Sequence, residues 1–276
     1  MLGQLSYPGR QALAAVARKT VIAPSVVPFA TDALNATFAK TRGATQADIE
    51  FLIRGFVHAA KYLEAAGFDG IELHSAHGYV LAQFLASRTN KRTDAYGGSL
   101  VNRMRLLIEI AKQIRDETSP SFIVGVKLNS VEFQDGGFTV EFTAQVGREL
   151  QDVGMDFVEL SGGTLEKIGH EWTKDTTQKR EAFFLKFAEM IVPQMGKTAA
   201  ESRTKIFITG GLRTISAIAK ALRAMKRPLV FTWKTNPCMK QLRLTIPKEI
   251  CLGSWKYPPR VYRMTIYNDR LINRVK

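Results

Sequence analysis

Cysteine is scarce in this chain. Cys238 and Cys251 are the two among 276 residues, too few for a disulfide framework and spaced unlike any zinc motif. A reducing, cytoplasmic compartment is the expectation. No uninterrupted apolar run reaches the length of a membrane-spanning helix, and residues 1–8 lack the basic-then-apolar layout of a secretory leader. No G-x-G-x-x-G follows a strand pattern, which removes the usual fingerprint of a dinucleotide-binding sheet. Acidic residues are also short in supply, leaving a formal charge of +14. That excess is local. Residues 226–276 carry 12 basic and 2 acidic side chains, a net of +10, whereas the first 225 residues carry 27 basic and 23 acidic, a net of +4. The basicity therefore does not mark the body of the chain as a nucleic-acid binder, and composition breaks near Lys226.

What is present is ordinary globular composition, 45% hydrophobic and 23% charged, arranged as short β-rich apolar runs alternating with longer helical patterns. Ile49, Leu52, Ile53, Phe56, Ala59, Ala60 and Leu63 recur at helical spacing, with Gly67 as the stop. Strands are predicted at 70–74, 122–128, 157–160 and 205–209, and a weak one near 20–23. Helices are predicted near 100–117, 142–150, 182–191 and 214–225. Apolar strands each followed by a helix suggest a parallel sheet covered on both faces or closed into a barrel. The expected fold class is α/β, a (β/α)8 TIM-barrel type with about five or six of its eight βα units. Residues 1–225 form the barrel portion, and residues 226–276 a divergent basic tail. Leu229 to Trp233 can form one more strand, but Pro237, Pro247, Pro258 and Pro259 interrupt the chain beyond it.

Barrel active sites gather at the C-terminal ends of strands. His74, Ser75, His77 and Tyr79 crowd one such end. Two histidines in a loop are ordinarily polar surface, and a metal would need a third ligand that the sequence does not offer. Crowding favours chemistry: two imidazoles can hydrogen-bond a carbonyl oxygen, and a phenol can deliver a proton. Lys127 sits near another strand end, where a rim lysine and a cation facing a bound ring are equally good readings. Gly210 and Gly211 join a strand to a helix as a phosphate loop would, although a Gly-Gly pair is also a plain turn. Gly162-Gly163 reads as a turn. The polar stretch from Asn90 to Arg105 reads as a pinned loop with Ser99 as a helix N-cap.

Taken together, Phe68-Asp69-Gly70-Ile71-Glu72-Leu73-His74-Ser75-Ala76-His77-Gly78-Tyr79, Gln83-Phe84-Leu85 and the Asn90–Arg105 motif resemble the old yellow enzyme family of NADH:flavin oxidoreductases. The resemblance continues through Val124 to Ser130, Asp156 to Gly163, Lys179 to Ala182 and Ile208 to Thr214, and spans roughly Leu2 to Met225. It implies an FMN-holding barrel, reduced by NADPH or NADH, that passes hydride to the β-carbon of an electron-poor alkene. By resemblance His74 and His77 hydrogen-bond the substrate carbonyl, Tyr79 donates the proton, and Lys127 lies beside the flavin. Gly210 and Gly211 match part of the phosphate loop. Gln4 matches a flavin-binding glutamine in a Q-L-x-H-x-G-R segment, with Tyr7 where the histidine is usual. Family members carry two more barrel strands before that segment and a second phosphate loop where Lys226-Arg227-Pro228 and the basic tail stand here. The competing expectation is an inactive barrel remnant whose tail binds polyanions or a protein partner. A dihydroorotate-type FMN barrel is disfavoured by the His74/His77/Tyr79 cluster.

Overall fold

The computed structural model of the chain describes residues 1–17, 19–29, 36–132, 134–166, 188–195, 204–209, 229–232 and 265–267. Its spine is a parallel sheet. In chain order the strands are β1 (Leu2–Ser6), β2 (Val21–Ala23), β3 (Thr41–Gly43), β4 (Gly70–Ser75), β5 (Ile123–Asn129), β6 (Phe157–Ser161), β7 (Lys205–Thr209), β8 (Leu229–Thr232) and β9 (Thr265–Tyr267). Seven of these lie side by side in the order β8-β7-β6-β5-β4-β1-β9, every neighbouring pair parallel. The strand expected near 20–23 forms, but it pairs with β3 in a separate two-stranded sheet and adds nothing to the barrel wall. The further strand expected at Leu229 to Trp233 forms as β8, and the main sheet also gains β1 and β9. The helices predicted at 182–191 and 214–225 fall largely or wholly outside the described residues, as does most of the basic tail apart from β8 and β9.

Four helices are described: α1 (Gln46–Ala65), α2 (Val80–Leu85), α3 (Leu100–Glu117) and α4 (Val140–Asp152). α1 starts at a capping box, in which the Thr45 hydroxyl accepts from Asp48 N while the Asp48 carboxylate accepts from Thr45 N. The Ser99 and Thr139 hydroxyls accept likewise at the N-termini of α3 and α4. α2 is buried along its whole length and so shows no amphipathic pattern in the sequence. Ile49, Leu52, Phe56 and Leu63 of α1 join Leu106, Leu107, Ile110 and Ile114 of α3 and Val146 and Leu150 of α4 in one apolar core. That core covers a single face of the sheet, supplied by Leu5, Ile71, Leu73, Val124, Val126, Leu128, Val158, Leu160, Ile206 and Ile208.

The other face differs from the apolar surface that the strand composition suggests. Successive residues of a strand point to opposite faces, and parallel register aligns the polar ones. Gln4 stands opposite Glu72, and Glu72 opposite Gly125. His74 stands opposite Lys127, Lys127 opposite Glu159, and Asn129 opposite Ser161. Every one of these polar residues except Glu72 is buried. The inner face of the wall is thus a layered polar surface, and the site is built on it. The Asn90–Arg105 stretch is a loop pinned by hydrogen bonds that runs through the Ser99 cap into the first turns of α3. Asn90 Nδ2 donates to Phe84 O and Tyr96 O, each at 2.7 Å, and Arg103 Nε donates to Leu85 O at 2.7 Å.

Candidate active site

Two layers of the inner face carry charge. Gln4 Nε2 donates to Glu72 Oε1 at 2.5 Å, joining residues 68 positions apart in the chain. Lys127 Nζ donates to Glu159 Oε1, and the two side chains are only 5% and 6% exposed. The Glu72 and Glu159 carboxyl groups face each other. Burial, with the Glu159 carboxylate beside it, pushes the Glu72 carboxyl up to about 8, and the nearby Lys127 opposes that rise. Gln4 and Lys127, both expected beside a flavin, lie on this wall with carboxyl partners. Glu72 and Glu159 do not stand out in the sequence, because a glutamate in a strand ordinarily faces water.

In register with Lys127 and Glu159, toward the C-terminal edge of the sheet, β4 delivers His74, and the following turn delivers His77. His77 adopts φ 55 and Gly78 φ 75. A left-handed conformation is uncommon for a residue with a side chain, and His77 is held in it from several directions. Its backbone N–H donates to Asn129 Oδ1 at 3.2 Å, its carbonyl accepts from Gln11 Nε2 at 2.8 Å, and it forms a parallel bridge to Thr164. Gly78 has no room for a Cβ, which would lie 2.2 Å from Gln11 Nε2. Asn129 is itself anchored, since its Nδ2 donates to Glu132 Oε1 at 2.9 Å and to Gly163 O at 3.1 Å. Burial pushes the Glu132 carboxyl up to about 7.

The turn folds the His77 ring back over the sheet. His77 Nδ1 lies 3.4 Å from His74 Nε2, and His77 Nε2 lies 2.8 Å from Ser161 Oγ. Tyr79 is the N-cap residue of α2, and its ring meets the edge of the His74 ring at a centroid distance of 4.7 Å. His74, His77 and Tyr79 therefore form one cluster, and Lys127 neighbours His74 across the β4–β5 pair. Gly210 and Gly211 lie outside the described residues. In the sequence Ser161 reads only as the approach to a turn. The alternation Glu159-Leu160-Ser161, in phase with Lys127-Leu128-Asn129, is the signal that places it on the inner face. Among the described residues no group of three or more His, Cys, Asp or Glu could hold a metal ion. Nor is any described helix long and apolar enough to cross a membrane.

The chain is similar to known proteins in sequence and in fold. The sequence model of the NADH:flavin oxidoreductase / NADH oxidase family matches residues 2–224. An NADH-dependent flavin oxidoreductase of Aspergillus parasiticus is 43% identical over 257 residues, covering 91% of this chain and 56% of that protein. An NADPH dehydrogenase of a Geobacillus species is 35% identical over 166 residues, covering 59% of this chain and 45% of its own. A 2-naphthoyl-CoA reductase in complex with 2-naphthoyl-CoA superposes with a TM-score of 0.69 at 26% identity, over 83% of this chain and 35% of that one. Histamine dehydrogenase from Rhizobium sp. 4-9, at 24% identity and a TM-score of 0.65, shares the fold. The chain thus spans about half, or less, of the length of these relatives. Its parallel sheet with helices packed on one face is part of the TIM barrel of flavin oxidoreductases. With the match running from residue 2 to residue 224, the chain belongs to the NADH:flavin oxidoreductase / NADH oxidase family.

Proposed function

We propose that this chain carries the substrate-activating half of an FMN-dependent ene-reductase site, and that its reaction is reduction of an activated C=C bond by NADH or NADPH in the cytosol. FMN is the cofactor of this family, and relatives are named for NADH or for NADPH. The inner face suits it. Ser6 follows Gln4 on the same face of β1, and among the described residues its buried Oγ has no hydrogen-bond partner. Such an orphaned hydroxyl is costly unless a ligand satisfies it. Ser6, Gln4 and Lys127 are the described residues that would hold the flavin ring. When bound, FMN supplies the two-electron hydride chemistry that links the nicotinamide to the alkene.

The observation that carries this reading is the cluster of His74, His77 and Tyr79 on one strand edge. The two imidazole nitrogens lie 3.4 Å apart, and with a proton on each they would both donate to a single carbonyl oxygen. They would stabilise the negative charge that grows on that oxygen as hydride reaches the β-carbon. The Tyr79 hydroxyl then gives its proton to the α-carbon, so hydride plus proton saturate the double bond and Tyr79 is reprotonated from solvent. His74, Ser161 and Asn129 are buried, while His77 and Tyr79 are half-buried and so open to an incoming substrate.

Rapid mixing of the two half-reactions tests these roles. Tyr79→Phe is expected to slow reoxidation of the flavin by cyclohexenone about 10²-fold or more, while reduction by NADH or NADPH keeps its wild-type rate. Equal loss in both half-reactions would remove Tyr79 as the proton donor.

A further inference from the structure

We propose that Ser161 is a positioning residue that sets the tautomer of His77, holding its ring proton on Nδ1, the nitrogen that faces His74 and the substrate carbonyl. This deepens the ene-reductase reading and takes its functional meaning from it, although the tautomer itself is a property of the protein alone.

A neutral imidazole has one N–H and one acceptor nitrogen, and the hydrogen bond at one ring nitrogen decides what the other can do. His77 Nε2 lies 2.8 Å from Ser161 Oγ. Ser161 is 4% exposed, and among the described residues its hydroxyl has this one hydrogen-bond partner. A buried hydroxyl carries one hydrogen that must be placed. If His77 donated from Nε2, the Ser161 hydrogen would be buried with no acceptor, at a cost of about 1–3 kcal/mol. If Ser161 donates to Nε2, both groups are satisfied and the His77 proton must sit on Nδ1. That nitrogen points at His74 Nε2, 3.4 Å away, where the carbonyl is to bind.

The serine can impose this because its place is fixed. Its carbonyl accepts from Ser130 N and from Ser130 Oγ, each at 2.6 Å, which ties the end of β6 to the β5 exit. The His77 backbone is fixed from the other side by Asn129 and Gln11. Both residues are thereby held by the backbone at the distance that brings ring and hydroxyl together. Without the hydroxyl, the donor that selects the Nδ1–H form is lost, and the ring can shift toward the Nε2–H form that free histidine side chains favour. His77 would then present a lone pair to the substrate oxygen.

Long-range proton–nitrogen NMR of the flavin-free chain, labelled with 15N in its four histidine rings, reads the tautomer directly at a pH where His77 is neutral. His77→Gln assigns the signals. The wild type is expected to show a protonated Nδ1 and an acceptor Nε2 at His77. Ser161→Ala should move the ring toward Nε2–H, and Ser161→Thr, which keeps a hydroxyl, should restore the wild-type pattern. A wild-type His77 with its proton on Nε2, or a Ser161→Ala spectrum unchanged from wild type, would overturn the proposal. Should Ser161→Ala fail to fold, the wild-type and Ser161→Thr spectra still decide it. With FMN bound, Ser161→Ala should slow cyclohexenone reduction about tenfold or more and leave reduction by NADH unchanged. A chain that shows the Nδ1–H tautomer but reduces no alkene would sink the ene-reductase reading and leave the tautomer assignment standing.

Discussion

Replacing Lys127 with methionine isolates the charge that the inner face carries. Methionine keeps the length and the apolar stem of the side chain, so little packing is lost. The ammonium is what disappears, leaving the Glu159 carboxylate 6% exposed and facing Glu72. Removing one partner of a buried ion pair costs about 3–5 kcal/mol. A second route to the magnitude agrees. The stranded carboxylate can escape by taking up a proton, which for an ordinary glutamate with a pKa of about 4.3 costs about 4 kcal/mol at pH 7. That escape becomes easier by about 1.4 kcal/mol for each unit the pH falls. Lys127→Met should therefore lose about 3–4 kcal/mol at pH 7, with the deficit shrinking toward pH 5. Lys127→Met combined with Glu159→Gln should recover most of the loss. Urea unfolding followed by circular dichroism at pH 5, 6 and 7 measures all three, with the midpoints compared at constant m. A loss below about 1 kcal/mol at pH 7, or a double variant no more stable than the single one, would show that the pair is not a buried interaction.

Two further predictions concern the same wall. The Glu72 carboxyl is raised from 4.5 to about 8 by burial and by Glu159. The folded chain therefore binds more protons than the unfolded one across that window, and this group's stabilisation declines as pH climbs from about 4.5 to about 8. Glu72→Gln should flatten that part of the stability profile, and a profile of unaltered slope would contradict the assignment. Asn129→Ala removes the acceptor of the His77 N–H and the donor to Gly163 O and Glu132, so exchange of the His77 amide should accelerate at least about tenfold. An unchanged exchange rate would show that Asn129 does not hold the turn.

How much of this the sequence exposes depends on distance along the chain. His74, His77 and Tyr79 fall within six residues, so their crowding is visible without a fold. β4 to β7 are legible because each is a β-rich apolar run with a helical pattern after it or a glycine before it. β1 is not, since Leu2-Gly3-Gln4-Leu5-Ser6 carries glycine and glutamine in five residues, and only its ladder with β4 makes it a strand. The charged layer is invisible for the same reason. Glu72 and Glu159 acquire meaning from parallel register, which brings Gln4, Glu72, Lys127 and Glu159 into contact from four strands. Strand alternation is the available clue: Glu72 and His74, Lys127 and Asn129, and Glu159 and Ser161 all fall on one phase. Taken together, those phases mark the inner face as polar. Ser161 illustrates the general case, because a serine before two glycines reads as a turn until a histidine 84 residues away is placed against it.

The central claim is that the polar inner face, with its orphaned Ser6 hydroxyl, is a flavin site. Titrating FMN with the purified chain and following quenching of flavin fluorescence tests it most directly. Saturable quenching at one FMN per chain is expected, weakened by Ser6→Val and by Lys127→Met. Fluorescence that stays at the free-flavin level throughout the titration would contradict it.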